Sequence, residues 1–249
     1  MYTTFVYNPL YNGLILLADW LPFLDAGLLI VLFTIVVKLV LFPISKKAVR
    51  TQAMMKQVEP ELRSIKERFK DNKQQQAIET MKLYKEKQIN PFSSIFLLLI
   101  QLPIIFALYK IFYSTGFSSV NADILYSFVA VPTNISNSFL GLIDVSQKSA
   151  VLAVLAAVSQ YFQIKLSVPP APPKVEGAKP SFQDDLARNM QVQMKYVFPI
   201  MILFISYHAA AALAIYWTTS NLFMIGQELY IRRQMRNEAE MKMRVVEAK

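Results

Sequence analysis

Long apolar blocks alternate with short polar ones along the chain. The sharpest boundary lies within residues 25–50, where an apolar run opens after Asp25 and ends in Lys46, Lys47 and Arg50. An apolar stretch of about 18 or more residues is long enough to cross a bilayer as a helix, and a basic cluster at one end marks the cytoplasmic side. The pattern predicts a first span over 26–44, a second over 92–113 and a third over 149–168. From Lys195 to Glu228 the chain is again almost wholly apolar. As one helix that block would reach roughly 50 Å, too long for a hydrocarbon core of about 30 Å. Basic residues at both of its ends, Arg188 and Lys195 before and Arg232, Arg233 and Arg236 after, require the chain to return to the side it left. Two spans are therefore expected, 195–209 and 210–229, turning near His208 to Ala211 without a Gly or Pro to mark the turn. Arms this short imply local bilayer thinning or oblique packing.

The polar blocks differ in kind. Residues 1–25 place Leu10, Leu14, Leu17 and Leu21 at 4-3-4 spacing beside Tyr7, Tyr11 and Trp20, which predicts an amphipathic helix lying in the outer membrane surface. A short additional span is the alternative, opposed by Asp19 and Pro22. Residues 45–91 hold twelve Lys or Arg against six Asp or Glu, which places the block in the cytoplasm. Met55, Val58, Leu62, Ile65 and Phe69 form one helical stripe; Ala77, Met81, Tyr84 and Gln88 form a weaker one, with a turn at Asp71-Asn72. This predicts a cytoplasmic helical hairpin. Residues 114–148 carry one basic and two acidic residues and read as an outside loop, with an Asn134-Ile135-Ser136 sequon of little weight. Residues 169–194 begin PPAPPKVEGAKP, a flexible cytoplasmic loop, and 230–249 form a basic cytoplasmic tail. The fold class is all-α, with five membrane spans, N-terminus outside and C-terminus inside. No basic n-region or cleavage site marks a removable signal peptide.

Composition agrees. Hydrophobic residues make up 54 % of the 249 and charged residues only 17 %, so the chain reads as an integral membrane protein. The absence of cysteine excludes disulfides and thiol catalysis, and a single histidine, His208, leaves no His cluster for a metal. No Gly-rich phosphate loop is present. No catalytic residue, metal or cofactor is expected. The net charge of +9 sits mainly in the cytoplasmic blocks, where anionic lipid or ribosomal RNA are candidate contacts.

Chemistry within the spans is confined to a few polar side chains. Lys38 interrupts the first span, and an ammonium near mid-bilayer costs on the order of 2.5–3.5 kcal/mol on insertion scales. Snorkelling to the inner interface is one explanation and function is the other. Thr34 lies one turn away on the same face. Gln101 falls in the second span, Gln160 and Gln163 on one face of the third, and Thr218, Ser220 and Asn221 in the fifth. Each alone reads as interhelical glue, worth about 0.6 kcal/mol. Together they fit a shared hydrated cavity. The spans contain no Asp or Glu, with Glu228 at the inner end of the last, so Lys38 has no evident counter-ion and a cation-coupled transporter is disfavoured. No internal repeat is visible, against an inverted-repeat transporter.

Five stretches carry a resemblance over roughly residues 20–235: TIVVKLVLFP, QVEPELRSIKERF, MKLYKEKQINPF, LLLIQLPIIFALY and IYWTTSNLFMIGQ. On these the chain resembles the YidC family of membrane protein insertases, related to the mitochondrial Oxa-type and thylakoid Alb-type proteins. The resemblance implies a five-helix core with a polar groove open to cytoplasm and lipid and closed to the outside. It implies a bacterial cell inner membrane location and nascent membrane proteins as clients, with the ribosome and a Sec translocon as candidate partners. In that groove Lys38 falls where the family has an arginine, Thr34 and Gln101 match groove positions, Tyr216 or Trp217 matches a client-contacting aromatic, and Asn221 completes a Ser-Asn pair. Two departures stand out. Lysine replaces arginine and loses the planar fork. HAAAA stands where a Pro and a Gly are expected before the last span. The resemblance implies a simpler member, without the large extracytoplasmic domain of many others. The expected function is an insertase and membrane chaperone, not an enzyme: client polar segments are held in the groove, then apolar segments pass sideways into lipid. The rivals are a small anion or solute transporter using Lys38, and a structural partner of a translocon.

Overall fold

The computed structural model describes residues 2–90, 93–114, 120–132, 135–168 and 189–247. The proline-rich segment 169–188, the Pro91-Phe92 junction, Asn134 of the sequon and the last two residues of the tail lie outside the described residues.

Residues 2–20 form one continuous helix, a π-helical turn at Thr3–Tyr7 followed by α1, Asn8–Trp20. Its inward face is Tyr7, Tyr11, Leu14, Ile15 and Ala18. Of the expected leucine stripe only Leu14 is fully buried, while Leu10, Leu17 and Leu21 are half-buried against the same core. The stripe is displaced because α1 also anchors an irregular loop. The Tyr11 hydroxyl accepts the Asn121 N–H at 2.7 Å. Buried Asn12 accepts the Tyr126 N–H at 2.6 Å and donates to the Ile124 carbonyl at 2.9 Å. These side chains satisfy backbone groups that the loop, lacking a ladder of its own, leaves open.

α2, Ala26–Val40, starts at Asp25, whose carboxylate caps the Leu28 N–H at 2.8 Å. It stops short of the expected residue 44. At Leu41 the chain turns through 73° into α3, Phe42–Gln57. Pro43 explains the break: it has no N–H to give to the preceding turn and its ring collides with that turn's carbonyl. The apolar helix is thus 15 residues, about 22 Å, before the chain bends.

α4, Glu59–Arg68, and α5, Lys73–Glu86, complete the basic hairpin, with Asn72 capping the Gln75 N–H at 3.0 Å. Its small core is Val58, Leu83 and Ile89, flanked by Met54, Met55, Leu62, Ile65 and Tyr84. Met55, Val58, Leu62 and Ile65 of the first stripe therefore pack as read, while Phe69 is outside this core. Of the second stripe only Tyr84 packs inward: Ala77, Met81 and Gln88 face solvent, and Leu83 takes the buried place beside Tyr84. Leu83 beside Tyr84 offers a more apolar face than Ala77 and Gln88, so the helix is rotated to bury those two side chains.

α6, Ser93–Ser114, carries Pro103 in its interior, and α7, Ala150–Ser167, begins at the Ser149 cap. Residues 189–208 are continuously helical, with a π-helical turn at Gln193–Val197 leading into α8, Phe198–His208. α9, Ala211–Glu247, then runs for 37 residues, about 55 Å. The helices extend beyond the expected arms on both sides of the turn. Helix starts before the apolar block and continues into the basic tail as far as Glu247, because Glu, Arg, Met and Gln are strong helix formers. The turn is where it was expected, at Ala209 and Ala210. It needs no Gly or Pro because Ala211 and Ala212 donate their free N–H groups to the carbonyls of Gln147 and Val145, at 2.8 and 2.9 Å. The loop before α7 thereby caps α9.

α9 packs against α7 and α2, and α7 against α8. The core between them includes Ile30, Phe33, Leu108, Ile111, Ala156, Ile202 and Ala214. Strand is limited, among the described residues, to one antiparallel pair, β1 (Ser138–Phe139) and β2 (Ile143–Asp144). The molecule is otherwise mostly helical, as an all-α membrane protein requires. Among the described residues α7 alone meets both length and hydropathy for a crossing, and α2 with α3 does so across their bend.

Gly27 is where the hairpin of β1 and β2 meets α2. A Cβ there would stand 2.3 Å from the Phe139 ring. Gly27→Ala is expected to push the hairpin off α2 at a cost of about 1–3 kcal/mol, read as a lower unfolding temperature in detergent. An unchanged midpoint would mean that the ring swings aside freely.

Candidate functional site

α2 projects Thr34 and Lys38 from one face, α6 brings Gln101, and α9 brings Tyr216. The Lys38 side chain is only 9 % exposed. Its Nζ donates to Gln101 Oε1 at 2.9 Å, and Gln101 Nε2 donates in turn to the Tyr216 hydroxyl. Tyr216 is buried and lies within hydrogen-bonding reach of Ser220 one turn on. Thr34 is buried as well, its hydroxyl donating to the Ile30 carbonyl at 2.6 Å. That leaves the Thr34 oxygen free to accept but not to donate. Among the described residues Lys38 makes no ion pair; a neutral amide holds its charge. Tyr216→Phe is expected to leave the Gln101 amide without this acceptor, weaken its grip on Lys38 and cost about 1 kcal/mol of stability, seen in a double-mutant cycle with Gln101→Leu.

The remaining candidates divide between two other places. Asn221 donates to Ser159 Oγ at 3.0 Å, joining α9 to α7. Gln160 donates to Gln163 at 3.0 Å, and Gln163 to Ser167 Oγ at 3.1 Å. Ser167 then donates to Glu228 Oε2. Trp217 lies in the apolar core, and Thr218 is back-bonded to the Ala214 carbonyl at 2.8 Å. Of the two neighbouring aromatics it is Tyr216, and not Trp217, that meets Gln101.

The chain of amides ends on a charged knot that sequence reasoning passed over. Glu228 is 1 % exposed, and its Oε1 takes Arg232 Nε at 3.1 Å and Nη2 at 2.5 Å. Arg232 Nη2 also donates to the Leu166 carbonyl at 2.6 Å, and Lys56 Nζ donates to the same carbonyl. Two cations thus cover the C-terminal end of α7, where the helix dipole favours them. Burial pushes the Lys56 ammonium below its ordinary range, Arg232 beside it pushes the same way, and Glu228 and Glu59 oppose. Next to it Gln227 donates to Ser45 Oγ at 2.7 Å and ties α9 to α3. The signal available in the sequence was the Glu228/Arg232 pair at i, i+4 on the last apolar block; its partners on α7 and α3 could not be read from spacing.

A helical core of apolar segments with a buried cation on neutral partners, continuous with a basic helical hairpin, defines an all-α membrane protein. The model of the 60Kd inner membrane protein family matches residues 17–238. The chain is 35 % identical over 213 residues to the membrane protein insertase YidC of Clostridium tetani, covering 85 % of this chain and 84 % of that one. It is 31 % identical to the membrane protein insertase YidC of Fusobacterium nucleatum, covering 84 % and 86 %. Against that of Rickettsia conorii it is 30 % identical over 216 residues, which span 83 % of this chain and 35 % of the longer relative. The chain belongs to the 60Kd inner membrane protein family, to which the bacterial YidC insertases belong.

Proposed function

We propose that the chain is a membrane protein insertase that receives polar segments of client proteins at Lys38, Gln101 and Tyr216 and releases their apolar segments into lipid. The observation that carries this reading is the pairing of Lys38 with a neutral acceptor at 2.9 Å rather than with a carboxylate. A buried ammonium held only by an amide retains most of its attraction for a negative group brought from outside, and an incoming carboxylate can take the place of Gln101 Oε1. Gln101 then turns its amide to the client, with Thr34 as an acceptor one turn away. Transfer of about 20 apolar residues from water to lipid supplies the driving force, and the mechanism needs no nucleotide.

In this reading five segments cross the bilayer: α2 together with the bend to α3, then α6, α7, the helix ending at His208, and α9 as far as residue 229. The N-terminus lies outside and the basic hairpin and C-terminal end of α9 lie in the cytoplasm, where their cations face anionic lipid and, during synthesis, the ribosome. Whether a Sec translocon hands over clients is a question of partners that the same crosslinks answer. A photo-crosslinker at Gln101 is expected to capture stalled nascent chains with an acidic N-terminal segment, and one at Trp217, buried in apolar core, to capture far less. Absence of any crosslink at Gln101 would return these polar residues to the role of interhelical glue.

A further inference from the structure

At the end of the molecule opposite the basic hairpin, the chain from Ile124 to Ile143 runs for 20 residues without a charged side chain, although it connects helices rather than crossing anything. Val129 is buried and Ile124, Leu125, Ile135, Phe139 and Ile143 pack on the core, but the other large apolar side chains of the segment are left outside. Phe128 is 70 % exposed, and at the tip of the hairpin of β1 and β2 Leu140 is 57 % and Leu142 85 % exposed. In water a hairpin tip of Leu-Gly-Leu is a poor choice, since loops there favour small polar residues.

The hairpin is held beside another exposed apolar pair. Leu140 N–H donates to Asp25 Oδ2 at 2.6 Å, the carboxylate that caps α2 through its other oxygen. The Phe139 ring lies on Gly27, and the Ala26 N–H donates to the Ser136 carbonyl at 2.9 Å. The tip therefore stands next to the connection between α1 and α2, where Trp20 is 68 % and Phe23 78 % exposed. The backbone here is also spoken for: Leu142 N–H bonds Phe139 O at 3.0 Å and Val145 N–H bonds Asn137 O at 2.9 Å. Asp25, the charge nearest the tip, is absorbed by two N–H groups and a helix N-terminus. Asp123 and Asp144 flank the segment in sequence without entering it, and Asp19 precedes Trp20.

We propose that Trp20, Phe23, Leu140 and Leu142 form a wedge that seats in the lipid leaflet on the side away from the basic hairpin, at the boundary of headgroups and acyl chains. Lipid is the occupant because the segment from Ile124 to Ile143 carries no charge and because the Leu140 and Leu142 N–H groups at the tip are satisfied within the protein, as entry into hydrocarbon requires. The wedge rests on the reading that α2 crosses the bilayer. It would hold the outer ends of α1 and α2 at a fixed depth while the other end of the molecule admits clients.

The cysteine-free chain makes the test direct. Single-cysteine variants Leu142→Cys, Phe23→Cys, Val36→Cys and Met81→Cys are labelled with an environment-sensitive fluorophore and reconstituted in phosphatidylcholine–phosphatidylglycerol vesicles. Each of these side chains is exposed, so the substitutions remove little packing. Labels at Leu142 and Phe23 are expected to emit to the blue, to be quenched most by lipids carrying a nitroxide high on the acyl chain, and to be several-fold less sensitive to aqueous iodide than the label at Met81. A Leu142 label as open to iodide as that at Met81, with Val36 quenched by lipid, overturns the wedge alone. Failure of lipid quenching at Val36 as well overturns the membrane reading and the wedge with it. A Leu142 label that is open in vesicles but shielded in native membranes assigns the patch to a protein partner and overturns the lipid assignment.

Discussion

Lys38→Ala is expected to reduce insertion of clients bearing an acidic N-terminal segment by about ten- to a hundredfold in proteoliposomes, scored by protease protection of the translocated end. The magnitude follows from a hydrogen bond to a charged group in a sheltered site, about 1.5–3 kcal/mol, converted at about 1.4 kcal/mol per factor of ten. Lys38→Glu is expected to reduce it further, by repulsion of the client carboxylate, while Lys38→Arg retains activity and adds the bidentate fork. Gln101→Leu should have a smaller effect of the same kind, because it removes the acceptor that positions the ammonium while leaving the charge. Clients whose translocated segments lack acidic residues provide the control and should respond weakly to every Lys38 variant. Equal loss for acidic and neutral segments would mean that Lys38 supports the fold and does not receive charge.

The largest loss of stability is expected at a residue outside the candidate groove. Glu228→Ala removes the carboxylate that holds Ser167 and Arg232, leaving Arg232 and Lys56 on one carbonyl with only Glu59, near Lys56, to oppose them. Breaking a buried ion pair costs about 3–5 kcal/mol. The Arg232 side chain is 35 % exposed and can recover water, which places the expected loss near ~3 kcal/mol, toward the lower end of that range. For a chain of this size that corresponds to roughly 6–12 °C in the unfolding midpoint. Glu228→Gln keeps an acceptor for Ser167 and should lose less. Arg50→Ala is the contrast: its 2.7 Å pair with Glu238 is exposed on both sides, and surface pairs contribute about 0–1 kcal/mol. If the two substitutions lower the midpoint equally, the knot on α7 is not the anchor of that end of the molecule.

Several features were legible because they depend on local chemistry. The apolar block that starts at 149 becomes α7, the chain turns back between His208 and Ala211, and Val58, Leu62 and Ile65 pack as their spacing requires. Thr34 and Lys38 share a face because helical geometry places them there. Other features were not legible, for an equally physical reason. Asn12 reads as the polar side of an amphipathic helix, yet it is buried because its amide satisfies a loop more than a hundred residues away. The polar residues of the spans read as one set, yet each amide takes the nearest partner with compatible geometry, and the set separates into Lys38 with Gln101 and Tyr216, Asn221 with Ser159, and the chain that ends on Glu228.

By itself the sequence determined the apolar blocks, the basic helical hairpin, a sharp turn near His208 to Ala211, and the family, since apolar length, charge asymmetry and motif order are all written along one dimension. The tertiary structure decided which neutral group holds Lys38, which aromatic completes that contact, how a turn of alanines is capped, and why a glutamate at the end of a span is buried. Each of these depends on hydrogen-bond partners brought from elsewhere in the chain, and a buried polar group takes whichever partner the packing of helices places within about 3 Å.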